Sequence, residues 1–80
     1  MNYQSKVKKQ YQDQGYLVLN IIRLSDSGYP DLMCLKDGKV IFIECKTGND
    51  TLKPLQKHRI DTLKQKGFEA YCLKDGEIIY

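Results

Sequence analysis

Pro30-Asp31 and, thirteen positions beyond that aspartate, Glu44-Cys45-Lys46 are the residues of this 80-residue chain with the clearest chemical use. Two carboxylates a few ångströms apart hold a hard divalent cation through oxygen ligands and leave room for water and phosphate. Such a cation activates water and stabilises negative charge on a phosphodiester. A lysine beside it orients the water or neutralises the charge that develops. The competing reading is structural: a Glu44–Lys46 ion pair, with Asp31 in a turn after Pro30.

Whether these groups meet depends on the elements that carry them. Val40, Ile41, Phe42 and Ile43 are all apolar, so the strand over residues 39–46 is covered on both faces, as a central strand is. Glu44 and Lys46 continue it with period 2 and point to the same side. Asp37-Gly38 is a strong hairpin signal, and pairing about it sets Asp31 opposite Glu44. A carboxylate and an ammonium at the end of a core strand are costly to bury unless they are paired or bind a metal. Register alone therefore predicts two carboxylates and one lysine in one place.

The remaining elements follow from punctuation and periodicity. A helix is expected over residues 3–14, ended by Gly15, with Val7 and Tyr11 sharing a face with Tyr3 and Gln14. A strand rich in Leu, Val and Ile covers residues 16–24, and residues 25–30 form a loop of turn formers. Strands over 31–36 and 39–46 flank the Asp37-Gly38 turn, and residues 48–51 form a second loop. Pro54 opens a helix whose apolar stripe is Leu55, Ile60 and Leu63 and which Gly67 closes. A strand over 68–73, a turn at Asp75-Gly76 and a strand over 77–80 complete the order α-β-β-β-α-β-β. The strand-helix-strand run from Val40 to Leu73 predicts a right-handed crossover between parallel strands. Cys34 to Gly38 recurs as Cys72 to Gly76, but the flanks differ, so shared turn chemistry explains the match better than duplication.

Composition excludes several classes. Eighty residues support one domain with one small core. With 29% charged residues of both signs and 41% hydrophobic ones, disorder is not expected. Apolar runs are four residues or fewer, far below the roughly 20 of a membrane span. The first residues carry no apolar signal region, which predicts a soluble, cytoplasmic protein. Cys34, Cys45 and Cys72 form no C-x-x-C pair and read as small buried hydrophobes. His58 stands alone, which argues against zinc, and no glycine-rich nucleotide loop is present. A net charge of +3 permits a nucleic-acid partner without demonstrating it.

Gly28-Tyr29-Pro30-Asp31-Leu32, Ile41 to Lys46 and Pro54-Leu55-Gln56 together resemble the PD-(D/E)XK nuclease signature. They are most similar to its VRR-NUC (virus-type replication-repair nuclease) branch, and the likeness runs over nearly the whole chain. It implies a restriction-endonuclease-like α/β fold, a mixed central sheet flanked by helices. It also implies a Mg2+- or Mn2+-dependent DNA endonuclease, acting as a homodimer on Holliday junctions or other branched DNA in a bacterial or phage-infected cell. By the resemblance, Asp31, Glu44 and the backbone carbonyl of Cys45 are metal ligands, Lys46 is the catalytic lysine, and Gln56 sits over the site. The family's first-helix glutamate has no counterpart in residues 3–14, where Gln4 takes that position. Ser25 and Ser27 are candidate phosphate donors, and Lys6, Lys8, Lys9, Lys53, Lys57 and Arg59 are candidates for the DNA backbone. Two rival readings stay open: a catalytically weak DNA-binding module that keeps the fold, and an interaction domain whose charges form only structural pairs.

Overall fold

In the computed structural model, which describes residues 1–80, five strands form one sheet in the order β1-β2-β3-β4-β5. The elements are α1 (Tyr3–Asp13), β1 (Leu17–Asn20), β2 (Leu32–Lys36), β3 (Lys39–Lys46), α2 (Pro54–Gln65), β4 (Glu69–Lys74) and β5 (Glu77–Ile78). Their order is the one expected, and the sheet is mixed: β3 and β4 are parallel and the other neighbours antiparallel. The longest strand, β3, lies at the centre, as its unbroken apolar run requires.

Both Asp-Gly pairs make tight hairpins. Asp37 and Gly38 have φ of 52° and 75°, and Asp75 and Gly76 have 47° and 88°. Two successive left-handed residues match the twist of the strands they join. The first turn sets Leu32 opposite Ile43 and Lys36 opposite Lys39. The repeated Cys-Leu-Lys-Asp-Gly segments share this turn and little else, since Cys34 packs in the cluster under α1 and Cys72 in the cluster under α2.

Each helix covers one face. Val7 of α1 packs with Val18, Leu32, Cys34, Ile41, Ile43 and Leu73. On the other face Ile60 of α2 packs with Ala70 and Cys72, with Phe42, Leu52 and Leu63 beside them. Odd positions of β3 thus face α1 and even positions face α2, which sends Glu44 and Lys46 to the α2 side. Asn2 caps α1 by accepting from the Ser5 amide at 2.8 Å. Gly15, at φ 95°, ends it, with the Tyr16 amide donating to the Tyr11 carbonyl.

Three expectations need correction. The strand expected over 16–24 stops at Asn20: the Ile21 amide reaches the Asp31 carbonyl at 2.7 Å, after which Ile22 and Leu24 stand exposed. High β-propensity does not make a strand where no neighbour offers a ladder. The final strand is two residues long, because β4 supplies partners only at Leu73 and Lys74. Leu55 is not core; it lies exposed on α2 against Gly28.

Candidate active site

The C-terminal half of β3 ends in two buried ionisable side chains, Glu44 (3% exposed) and Lys46 (6%). They lie on one face because they are two residues apart on a strand. Lys46 Nζ stands 3.6 Å from Glu44 Oε2 and 3.5 Å from Asp50 in the loop that follows. Asp31, half-buried just before β2, extends the register of Leu32 with Ile43, and its Oδ2 accepts from the Cys45 amide at 3.0 Å. Gln56, in the first turn of α2, does two things. Its Oε1 accepts from the Lys53 amide at 2.9 Å, and its Nε2 donates to Glu44 Oε2 at 3.4 Å.

This leaves Glu44 Oε1 buried with no hydrogen-bond partner. An unpaired buried carboxylate oxygen is expensive. Burial first, and then the neighbouring Asp31 carboxylate, push the Glu44 carboxyl up to about 7, while Lys46 pulls it down. The Cys45 thiol, facing the α1 side, is pushed up to about 12 by burial and the nearby acids. It is a neutral packing group, as are the free Cys34 and Cys72, whose thiols burial also raises.

The structure therefore brings together Asp31, Glu44, Lys46 and Gln56. The contact made by Cys45 is its amide, to Asp31. No three His, Cys, Asp or Glu side chains gather at one place, so two carboxylates supply the acidic groups. A hard divalent cation fits this donor set: the orphaned Glu44 Oε1 lacks a positive partner, and carboxylate oxygens are its natural ligands. Gln4 is half-buried in the first turn of α1, the helix across the sheet from Glu44, and hydrogen-bonds none of Asp31, Glu44 or Lys46.

The other candidates are not gathered on one surface. Ser25 and Ser27 are exposed in the loop before Asp31, and their hydroxyls are free of internal hydrogen bonds. Lys53 caps the start of α2 and Lys57 lies one turn on, 5.8 Å from the Tyr80 ring. Lys6 and Lys9 are exposed on α1, and Lys9 pairs with Asp13 at 3.4 Å. Lys8 is half-buried on that helix. Arg59 is engaged inside the protein, donating to the Ser27 carbonyl and stacking on Tyr29. Asp50 went unnoticed in the sequence. Its position four after Lys46 carries a meaning on a helix but none across a loop.

Residues 3–74 match the family model of the VRR-NUC domain. The chain belongs to the VRR-NUC family of nuclease domains. Among solved structures it is similar to a VRR-NUC domain at TM-score 0.80 and 25% identity, over 91% of this chain and 81% of that one. A VRR-NUC domain protein matches at TM-score 0.66 and 22% identity, over 90% and 77%. Hjc, a Holliday junction resolvase from the archaeal hyperthermophile Archaeoglobus fulgidus, shares the fold at TM-score 0.71 and 17% identity, over 90% of this chain and 64% of that one. A comparison with curated proteins found no match. The restriction-endonuclease-like architecture expected from the motifs is thus the one observed. No helix is long and apolar enough to cross a membrane.

Proposed function

We propose that this chain is a divalent-metal-dependent DNA endonuclease that hydrolyses phosphodiester bonds, acting as a homodimer on Holliday junctions or other branched DNA. The observation that carries the reading is the buried Glu44 carboxylate, one oxygen of which has no partner, set beside Asp31 and Lys46. The ion pair with Lys46 engages only Oε2, and Asp31, which can share a proton with Glu44, brings no positive charge. Asp31, Glu44 and the Cys45 carbonyl are the groups that would hold Mg2+ or Mn2+, which supplies Lewis acidity at the phosphodiester when bound. Lys46 serves the attack on phosphorus. Its buried ammonium orients the attacking water and offsets negative charge as the bond to the leaving oxygen breaks. Gln56 fixes the Glu44 carboxylate while its own orientation is fixed by the Lys53 amide.

DNA is held by groups on both sides of the sheet. Ser25 and Ser27 offer exposed hydroxyls to phosphates, and Lys53 and Lys57 offer charge on the same side of the sheet. Lys6 and Lys9, on the other side, serve a strand that passes around the α1 edge. The branched substrate rests on the fold shared with a junction resolvase. The dimer is supported by exposed Leu17, Leu19, Ile22 and Leu24 on and after the edge strand β1. The six tyrosines each have an internal partner for ring or hydroxyl, Tyr11 with Tyr71, Tyr3 with Gly76, Tyr16 with Tyr11, Tyr29 with Arg59 and Tyr80 with Asp61, so the β1 edge carries this reading.

The test is cleavage of labelled junction, flap and linear duplex DNA in Mg2+, Mn2+ and EDTA. The proposal expects metal-dependent cutting of branched substrates by the wild type. Lys46→Ala should bind the same DNA within a few-fold and cut none. Wild-type binding without cleavage in either metal would instead make the chain a DNA-binding module. Absence of both would leave an interaction domain.

A further inference from the structure

Asp31 hangs on a long irregular connection. Between the end of β1 and the start of β2 the chain has no helix or strand, yet Asp31 must enter the site at a defined angle. Few contacts fix this segment. At its ends the Ile21 amide donates to the Asp31 carbonyl at 2.7 Å, and the Pro30 side chain is fully buried. At its middle the contacts come from α2. Arg59 Nε donates to the Ser27 carbonyl at 2.9 Å, and its guanidinium lies 4.8 Å from the centre of the Tyr29 ring. Gly28 passes so close to α2 that a Cβ there would lie 2.7 Å from Leu55 Cγ and 3.4 Å from Arg59 Cγ, and its φ of 87° is one that residues with a side chain rarely adopt.

We propose that Arg59 is a positioning residue for Asp31: it clamps Ser27 and Tyr29 to α2 and so fixes the loop from which Asp31 reaches the cation. The inference rests on the metal-nuclease reading. Helix α2 then acts on both acidic ligands, while the Cys45 amide of β3 holds Asp31 Oδ2 directly at 3.0 Å. Gln56 holds Glu44 directly, and Arg59, three residues further on, holds Asp31 through the loop. Arginine is required because the clamp uses a planar face against tyrosine and an N–H in fixed geometry, neither of which lysine supplies. Arg59 is half-buried, with Nε and one face already engaged, which sets it apart from the exposed lysines as a phosphate contact.

Arg59→Lys keeps the charge and removes the clamp. Calorimetric titration of Mn2+ into the purified protein should show affinity falling about tenfold, in line with residues that orient metal ligands from outside the coordination shell. DNA affinity in EDTA and its salt dependence should match the wild type. Tyr29→Leu should weaken Mn2+ in the same direction, and the double variant should lose little more than either single one, because both act on one contact. Thermal melts confirm that each variant is folded, and Tyr29→Leu carries the test if Arg59→Lys is not. Wild-type Mn2+ affinity in both folded variants would overturn the proposal while leaving the nuclease reading intact. So would an Arg59→Met protein whose metal affinity is unchanged but whose salt slope for DNA falls by about one, the mark of a lost phosphate contact. A wild type that neither binds Mn2+ nor cuts DNA would overturn both.

Discussion

Glu44→Gln should make the metal-free protein more stable at pH 8 and leave it little changed at pH 5. The Glu44 carboxyl is raised from 4.5 to about 7 in the folded protein, first by burial and then by Asp31. A group raised on folding favours the native state while protonated. That contribution is complete below about pH 4.5, declines between 4.5 and 7, and is gone above the folded value. At about 1.36 kcal/mol per pH unit, the ionised carboxylate costs a ceiling of about 3 kcal/mol at pH 8. Glutamine is neutral throughout, so it escapes that cost. It also deprives Lys46 of its buried counter-charge, leaving the exposed Asp50 at 3.5 Å, which takes back part of the gain. A net gain of about 1–2 kcal/mol remains, and domains of this size shift their midpoint by roughly 4–8 °C per kcal/mol. Circular dichroism melts in EDTA at pH 5, 6, 7 and 8 should therefore show a Glu44→Gln advantage that grows with pH to about 5–15 °C. Millimolar Mg2+ at pH 8 should raise the wild-type midpoint and not that of Glu44→Gln, by linkage. An advantage equal at pH 5 and pH 8, or a loss that deepens with pH, would refute the assignment of strain to the ionised carboxylate.

Asp31→Asn should likewise abolish stabilisation by Mg2+, read as the midpoint difference between Mg2+ and EDTA at pH 8. Leu19→Glu, on the exposed face of edge strand β1, should halve the mass seen by light scattering at micromolar concentration while leaving the melt in place, since Leu19 is not core. Gly38→Ala should cost about 1–2 kcal/mol in denaturant unfolding. No atom lies within 4 Å of the added Cβ, so the cost is that of φ 75° on an L residue alone.

Much of the site was legible because it depends on period and register. The Asp-Gly turn fixes the pairing of β2 with β3, and the two-residue period of β3 fixes the common side of Glu44 and Lys46. Gln56 was legible only through the family likeness, since nothing in an isolated helix glutamine says that it caps its own helix and reaches a carboxylate. The extent of β1 was not legible. Ile21, Ile22 and Leu24 have strand propensity, but a strand ends where its neighbour ends, and β2 begins only at Leu32. Leu55 falls on a helical apolar stripe, which predicts core, whereas its neighbour is a glycine in a loop. Arg59 looked like one more basic residue for DNA. Its role depends on Tyr29 and Ser27, about thirty residues away, and no local pattern encodes that contact.

The site sits where this topology can carry its cost. β3 and β4 run parallel, so α2 must cross between them, and its first turn returns beside the C-terminal end of β3. Open sheets with such crossovers bind ligands at the carboxyl ends of their strands, where loops and helix starts converge. Here that convergence sets Gln56 on Glu44 and the Arg59 clamp on the Asp31 loop. The two ionisable residues occupy two of only 13 buried positions, a heavy load for so small a core. The apolar clusters centre farther back along the same strands, around Ile41, Ile43 and Ala70, and reach the site only at Cys72, which pairs with Glu44. Stability and strain are thus divided along the length of β3: its middle holds the sheet together, and its end holds a carboxylate with one oxygen left without a hydrogen-bond partner.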